Sequence, residues 1–73
     1  MILTIPQIRQ IIAAGGSLDV DGSAFTLAQL TQIAEAAATV NVKIEITNIG
    51  NLTWENMREV ASLAPGKIVF DLT

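Results

Sequence analysis

Two carboxylates one residue apart, Asp19 and Asp21, are followed at once by Gly22 and Ser23 in the stretch LDVDGSAFT. Such spacing could open a calcium loop, in which oxygen ligands at alternate positions surround a hard cation and a glycine supplies the sharp turn. Counted from Asp19, however, Gly22 is fourth rather than sixth, and the twelfth position, where a bidentate Glu belongs, holds Leu30. The motif fails, and neither a metal nor another cofactor is expected. The chain also lacks His, Cys and Tyr. That removes the commonest general base, the commonest transition-metal ligand and any thiolate nucleophile. Ser17, Ser23 and Ser62 therefore have no imidazole to activate them, and paired carboxylates on a flat strand lack the apolar pocket that separates the pKa values of an acid and its base. No catalytic residue is assigned, and an enzyme is not expected.

The 73 residues make one domain, of a size at which a single core gives marginal stability. Hydrophobic residues are 51% of the chain before its five Gly are counted, against roughly 45–50% with Gly included in typical domains. Charged residues are 15% against roughly 25%, which suggests that another protein chain covers some apolar surface. The net charge is −3 and the pI is near 4.4. The four cations, Arg9, Lys43, Arg58 and Lys67, form no cluster, so nucleic acid and anionic membranes are excluded as charge-driven partners. The opening MILTIPQIRQIIAAGG lacks a basic start, carries Pro6 and Arg9 inside its apolar run, and is too short to span a bilayer. A cytoplasmic location is expected.

The elements that must position these groups are written three times. LTIPQIRQII from Leu3, FTLAQLTQIA from Phe25 and LTWENMREVA from Leu52 align without gaps, at spacings of 22 and 27 residues. Thr4, Thr26 and Thr53 stand where an N-cap hydroxyl accepts an orphaned helix N–H, and Gln7, Gln29 and Asn56 follow at the reciprocal position of a capping box. Leu3 with Ile8, Phe25 with Leu30 and Leu52 with Met57 have the spacing of hydrophobic staples. Three amphipathic helices are predicted, each followed after a break by an alternating run, SLDVD, KIEIT or KIVFDL, that reads as a strand. Gly22 and Gly50 read as turn residues between a strand and the next cap.

Helical links between strands demand parallel pairing and right-handed crossovers. Leu18, Val20, Ile44, Ile46, Ile68, Phe70 and Leu72 share one parity, while the other parity is mostly polar, so one sheet face is open. The expected fold is thus α/β: a short right-handed β/α solenoid of order α-β-α-β-α-β, a three-stranded parallel sheet of order 1-2-3, and all helices on one face. Its three units span about 3–22, 25–48 and 52–73. Leucine-rich repeats have similar unit lengths, but Asn41 stands where their leading leucine belongs and Ile49 where their turn asparagine does. No family is claimed.

Aligned in register, the outward residues form rows: Ser17, Lys43, Lys67; then Asp19, Glu45, Val69; then Asp21, Thr47, Asp71. One end of the face is basic and the other acidic. It reads as a solvated face and, beyond that, as a shallow docking surface. Trp54, aligned with Ile5 and Leu27, is expected in the core, with contact to a partner through its edge as the alternative. Neither end of the solenoid shows a polar cap, which suggests association through strand edges and solenoid ends, with the protein itself as partner in a homo-oligomer or filament. The alternative is a small acidic inhibitor or immunity-type protein that presents its carboxylates to a basic partner. A section of a longer solenoid would leave the same bare ends.

Overall fold

The computed structural model describes residues 3–73. Helix α1 (Ile5–Ala13) is followed by β1 (Leu18–Asp21), a single 3₁₀ turn (Gly22–Ala24), α2 (Leu27–Ala37), β2 (Ile44–Thr47), α3 (Trp54–Leu63) and β3 (Ile68–Phe70). Both strand pairs are parallel and the sheet order is β1-β2-β3. The helices pack on the sheet, with α2 between α1 and α3, and the sheet stays open, as the alternation of apolar and polar residues predicts. No helix among the described residues is long and apolar enough to cross a membrane.

All three helices start by the same chemistry. The hydroxyls of Thr4, Thr26 and Thr53 accept the backbone N–H of Gln7, Gln29 and Asn56 at 3.4, 3.2 and 3.1 Å. The amide oxygens of those residues in turn accept the Thr backbone N–H at 3.0, 2.9 and 3.1 Å. Each box satisfies two orphan donors, and an N-cap of this kind is worth about 1 kcal/mol. The first helix ends as distinctly as it begins. Gly15 adopts φ +93°, its N–H donates to the Ile12 carbonyl at 2.8 Å, and the Gly16 N–H reaches back to Ile11 at 3.0 Å. This is a Schellman ending, and the left-handed turn is why glycine stands there.

The core is centred on α2 and β2. Leu30, Ile33, Ala34 and Ala37 of α2 are fully buried, as are Ile44 and Ile46 of β2, with Ile8, Ile12 and Val60 closing in from the outer helices. Alanines on α2 let its neighbours approach closely, while the isoleucines fill the space between helix and sheet.

Two expectations need correction. Trp54 is 64% exposed and not in the core. It opens α3, an outer helix with α2 on one flank, and its ring lies under the Arg58 guanidinium at 5.4 Å, a cation–π contact that holds it against its own helix. Leu72 is 77% exposed because the strand ends at Phe70: the Asp71 carboxylate accepts the Thr73 N–H at 2.9 Å and the Thr73 hydroxyl as well, and this local turn ends the alternation. Gly50 lies in a turn between β2 and the next cap, as expected, closed by the Leu52 N–H to the Ile49 carbonyl at 2.9 Å, and Asn48 just before it takes the left-handed conformation at φ 51°. Gly22 does occupy a turn, but for a steric reason. A Cβ there would sit 2.7 Å from the Thr47 carbonyl oxygen.

Two consequences are measurable by chemical denaturation. Leu30→Ala, a large-to-small change at a fully buried site, lowers stability by about 2–5 kcal/mol. Gly22→Ala forces the β1 turn away from β2 and costs about 1–3 kcal/mol; unchanged stability would mean that the close approach to Thr47 is not a constraint.

Candidate interaction surface: the open face and the sheet edges

The polar residues reach this face through the strand register. Asp19 pairs with Glu45 and Glu45 with Val69, and Asp21 pairs with Thr47. Asp71 extends the last row, since its N–H donates to the Ile46 carbonyl at 3.0 Å. At the opposite end the ladder continues through Leu18 N–H to the Lys43 carbonyl at 3.1 Å and Ile44 N–H to the Lys67 carbonyl at 2.8 Å. The structure therefore gathers Ser17, Lys43 and Lys67, then Asp19, Glu45 and Val69, then Asp21, Thr47 and Asp71 on one side of the sheet. Trp54 lies apart from them, at the start of α3.

Much of this charge is committed to the fold. The Lys67 Nζ donates to the carbonyl of Ala38, the residue that ends α2, at 2.8 Å, and the Lys43 Nζ donates to the Gly66 carbonyl. These ammonium groups satisfy acceptors in the helix-to-strand turns, where cations also suit the negative end of a helix. The Ser17 hydroxyl accepts the Lys43 N–H at 3.0 Å. Asp21 Oδ1 accepts from the Ser23 N–H at 2.9 Å, the Ser23 hydroxyl at 2.6 Å and the Asn48 side-chain amide at 3.1 Å. Those donors, Ser23 foremost, hold the Asp21 carboxyl below its usual range, and Thr73 does the same for Asp71. The Thr47 hydroxyl donates to the Val20 carbonyl at 3.2 Å. These roles for the lysines are structural ones that composition alone hides. Their signal is positional, a Lys immediately before each of the two later strands.

Asp19 and Glu45 differ from the rest. They are directly opposed across β1 and β2, where strands run about 4.8 Å apart. Glu45 is pushed above its usual range, first by the Asp19 charge, then by loss of water, then by the hydrogen bond that a protonated carboxyl can offer Asp19, and last by Asp71. Among the described residues no three His, Cys, Asp or Glu side chains converge as a metal site would require. Beside the free edge of β1 a cavity of about 330 Å³ opens between apolar walls that include Leu3, Leu18 and Phe25, with Asp19 and Asp21 also lining it. No family model, curated protein or solved structure matches the chain.

The carboxylates make opposite contributions to the pH dependence of stability. Asp21 and Asp71, lowered on folding from 3.8, stabilise the fold above the ordinary carboxylate range, and that contribution is lost as pH falls through their folded values. Glu45, raised from 4.5, works the other way: the folded state holds its proton longer, so stability falls as pH rises through this window and the penalty is complete at neutral pH. Glu45→Gln is therefore expected to raise the melting temperature at pH 7 and to flatten the profile just above pH 4.5. A lower melting temperature at pH 7 would show that the Asp19–Glu45 repulsion is not felt.

Proposed function

We propose that the chain is a non-enzymatic protein–protein interaction module that associates through an exposed sheet edge, with a second copy of itself as partner. The observation that carries this reading is the edge at β3. There the outward Val69 is 44% exposed, half-buried Ile68 and Phe70 flank it, and Leu72 follows at 77% exposure. A short β-rich segment with unpaired main-chain groups and apolar side chains is a template for another strand. The serine hydroxyls favour a non-enzymatic role. Ser17 accepts from the Lys43 N–H, Ser23 donates to Asp21, and Ser62 donates to the Glu59 carbonyl at 2.7 Å, so each serves local structure.

A second reading, an acidic inhibitor or immunity-type protein, has its own support. Asp19 belongs both to the opposed carboxylate pair and to the apolar cavity beside β1, so a cation carried on an aliphatic stem would relieve the repulsion while filling the cavity. Static light scattering coupled to size exclusion tests the first reading: the mass should rise with protein concentration. If the mass stays that of a monomer while a Lys-rich or Arg-rich protein binds, and Asp19→Lys with Glu45→Lys abolishes that binding, the second reading replaces it.

A further inference from the structure

We infer that self-association is a closed two-fold dimer in which β3 pairs antiparallel with β3 of a second copy, centred on Val69. The inference rests on the edge-association reading above and specifies which edge, which symmetry and which side chains meet.

The main chain sets the pairing. The Lys67 carbonyl and the Asp71 N–H are both turned toward β2, where they bond Ile44 and Ile46. Backbone direction alternates along a strand, so Ile68 and Phe70 turn their N–H and C=O groups to the free edge. An antiparallel partner centred on Val69 places Ile68 opposite Phe70 of the second copy as a hydrogen-bonded pair, and Phe70 opposite Ile68 as its symmetry mate. Four main-chain bonds follow. Val69 then faces Val69 of the second copy in the non-hydrogen-bonded position, where Cα atoms approach to about 4.5 Å and β-branched side chains pack directly.

The charges agree with this register. Lys67 and Asp71 lie symmetrically about Val69 on the outward parity, so the same pairing sets Lys67 against Asp71 of the second copy, twice. Asp71 receives both Thr73 bonds on Oδ1, leaving Oδ2 free, and the Lys67 ammonium, which gives one N–H to the Ala38 carbonyl, has two more to offer it. The whole face continues the match, since the row Ser17, Lys43, Lys67 runs on into Asp71, Thr47 and Asp21 of the second copy.

The other edge pairings are poorer. Antiparallel β1 on β1 confronts Asp19 with Asp19 or Asp21 of the second copy. Head-to-tail β3 on β1, in the register found within the sheet, sets Val69 beside Asp19 and Asp71 beside Asp21. Like charges directly opposite are destabilising in both. A two-fold contact also closes after two copies, whereas the head-to-tail contact does not.

So short a strand makes a small contact of the weak class, and the measurement is sedimentation velocity on the full chain up to about 1 mM. The expected result is a monomer–dimer equilibrium that stops at two. Lys67→Asp and Asp71→Lys should each weaken it roughly tenfold. The double variant K67D/D71K should restore it, and an equimolar mixture of the two single variants should form the heterodimer in which all four charges pair. Val69→Lys, which leaves the Lys67–Ala38 and Asp71–Thr73 hydrogen bonds in place, should abolish dimerisation and carries the test if K67D or D71K fails to fold by circular dichroism. Open-ended growth that D71K strengthens would overturn the two-fold pairing in favour of the head-to-tail contact and leave the edge-association reading standing. A dimer indifferent to V69K would do the same in favour of another edge. A monomer across the range would overturn both.

Discussion

Everything else in this small protein depends on the in-register parallel pairing of β2 with its two neighbours. Ile44 and Ile46 are buried between the sheet and α2, and each is matched by residues of the same parity, Leu18 and Val20 on one side and Ile68 and Phe70 on the other. Side chains alternate with a period of two, so a slip of one residue would send the isoleucines into water and Glu45 into the core. One constraint therefore fixes the core, the polarity of the open face and the rows of charge. It also explains why the buried set among the described residues contains no polar or charged residue: every ionisable group on the strands lies on the parity that points outward.

Around that ladder the chain solves one problem three times. A helix must be started after each strand and stopped before the next. The starts are uniform, with Thr4, Thr26 and Thr53 in complete capping boxes. The stops are not. After α1 the chain uses Gly15 and Gly16 in a Schellman ending, after α2 the Lys67 ammonium reaches Ala38 from the adjacent unit, and after α3 the Lys43 ammonium covers Gly66. Both lysine contacts cross from one unit to its neighbour. They join the turns that lead into β2 and β3, in addition to the main-chain ladder, while Asp21, Asn48 and Thr47 join β1 and β2 where those strands end.

What was legible in the sequence followed from local, periodic chemistry. Capping boxes need residues three apart, staples need residues five apart, and strands need alternation, so the helix starts, the strand order and the rows through Asp19 and Glu45 could all be read from residue types. The failures have causes that periodicity does not carry. Trp54 was placed by alignment with Ile5 and Leu27, yet its burial depends on how many neighbours an outer helix has. Leu72 was placed by parity, yet Asp71 and Thr73 form a turn that ends the parity. Lys43 and Lys67 read as the basic end of the face, and nothing in a residue's type reveals which distant carbonyl its side chain will meet. Features set by backbone periodicity and by helix caps were readable; the distant side-chain contacts of Lys43 with Gly66 and Lys67 with Ala38, and the short turn at Asp71 that ends the last strand, were not.

That division bears on what the surface can offer a partner. Six of the eleven charges lie on the open face, but Lys43, Lys67, Asp21 and Asp71 each have a duty inside the fold. A group already hydrogen-bonded to its own backbone gains less from a partner than a free one, and removing it harms the fold before it harms recognition. Only the opposed Asp19 and Glu45 have no structural use for their charge, and their repulsion is a standing cost at neutral pH. The face is therefore a poorer recognition surface than its composition suggests. The edges differ, because main-chain donors and acceptors on an outer strand have water as their alternative, and on β3 they are flanked by apolar side chains and bracketed by one charge of each sign. A sheet face with so few free side-chain charges leaves its most specific information in that backbone edge and in the symmetry of the residues around Val69.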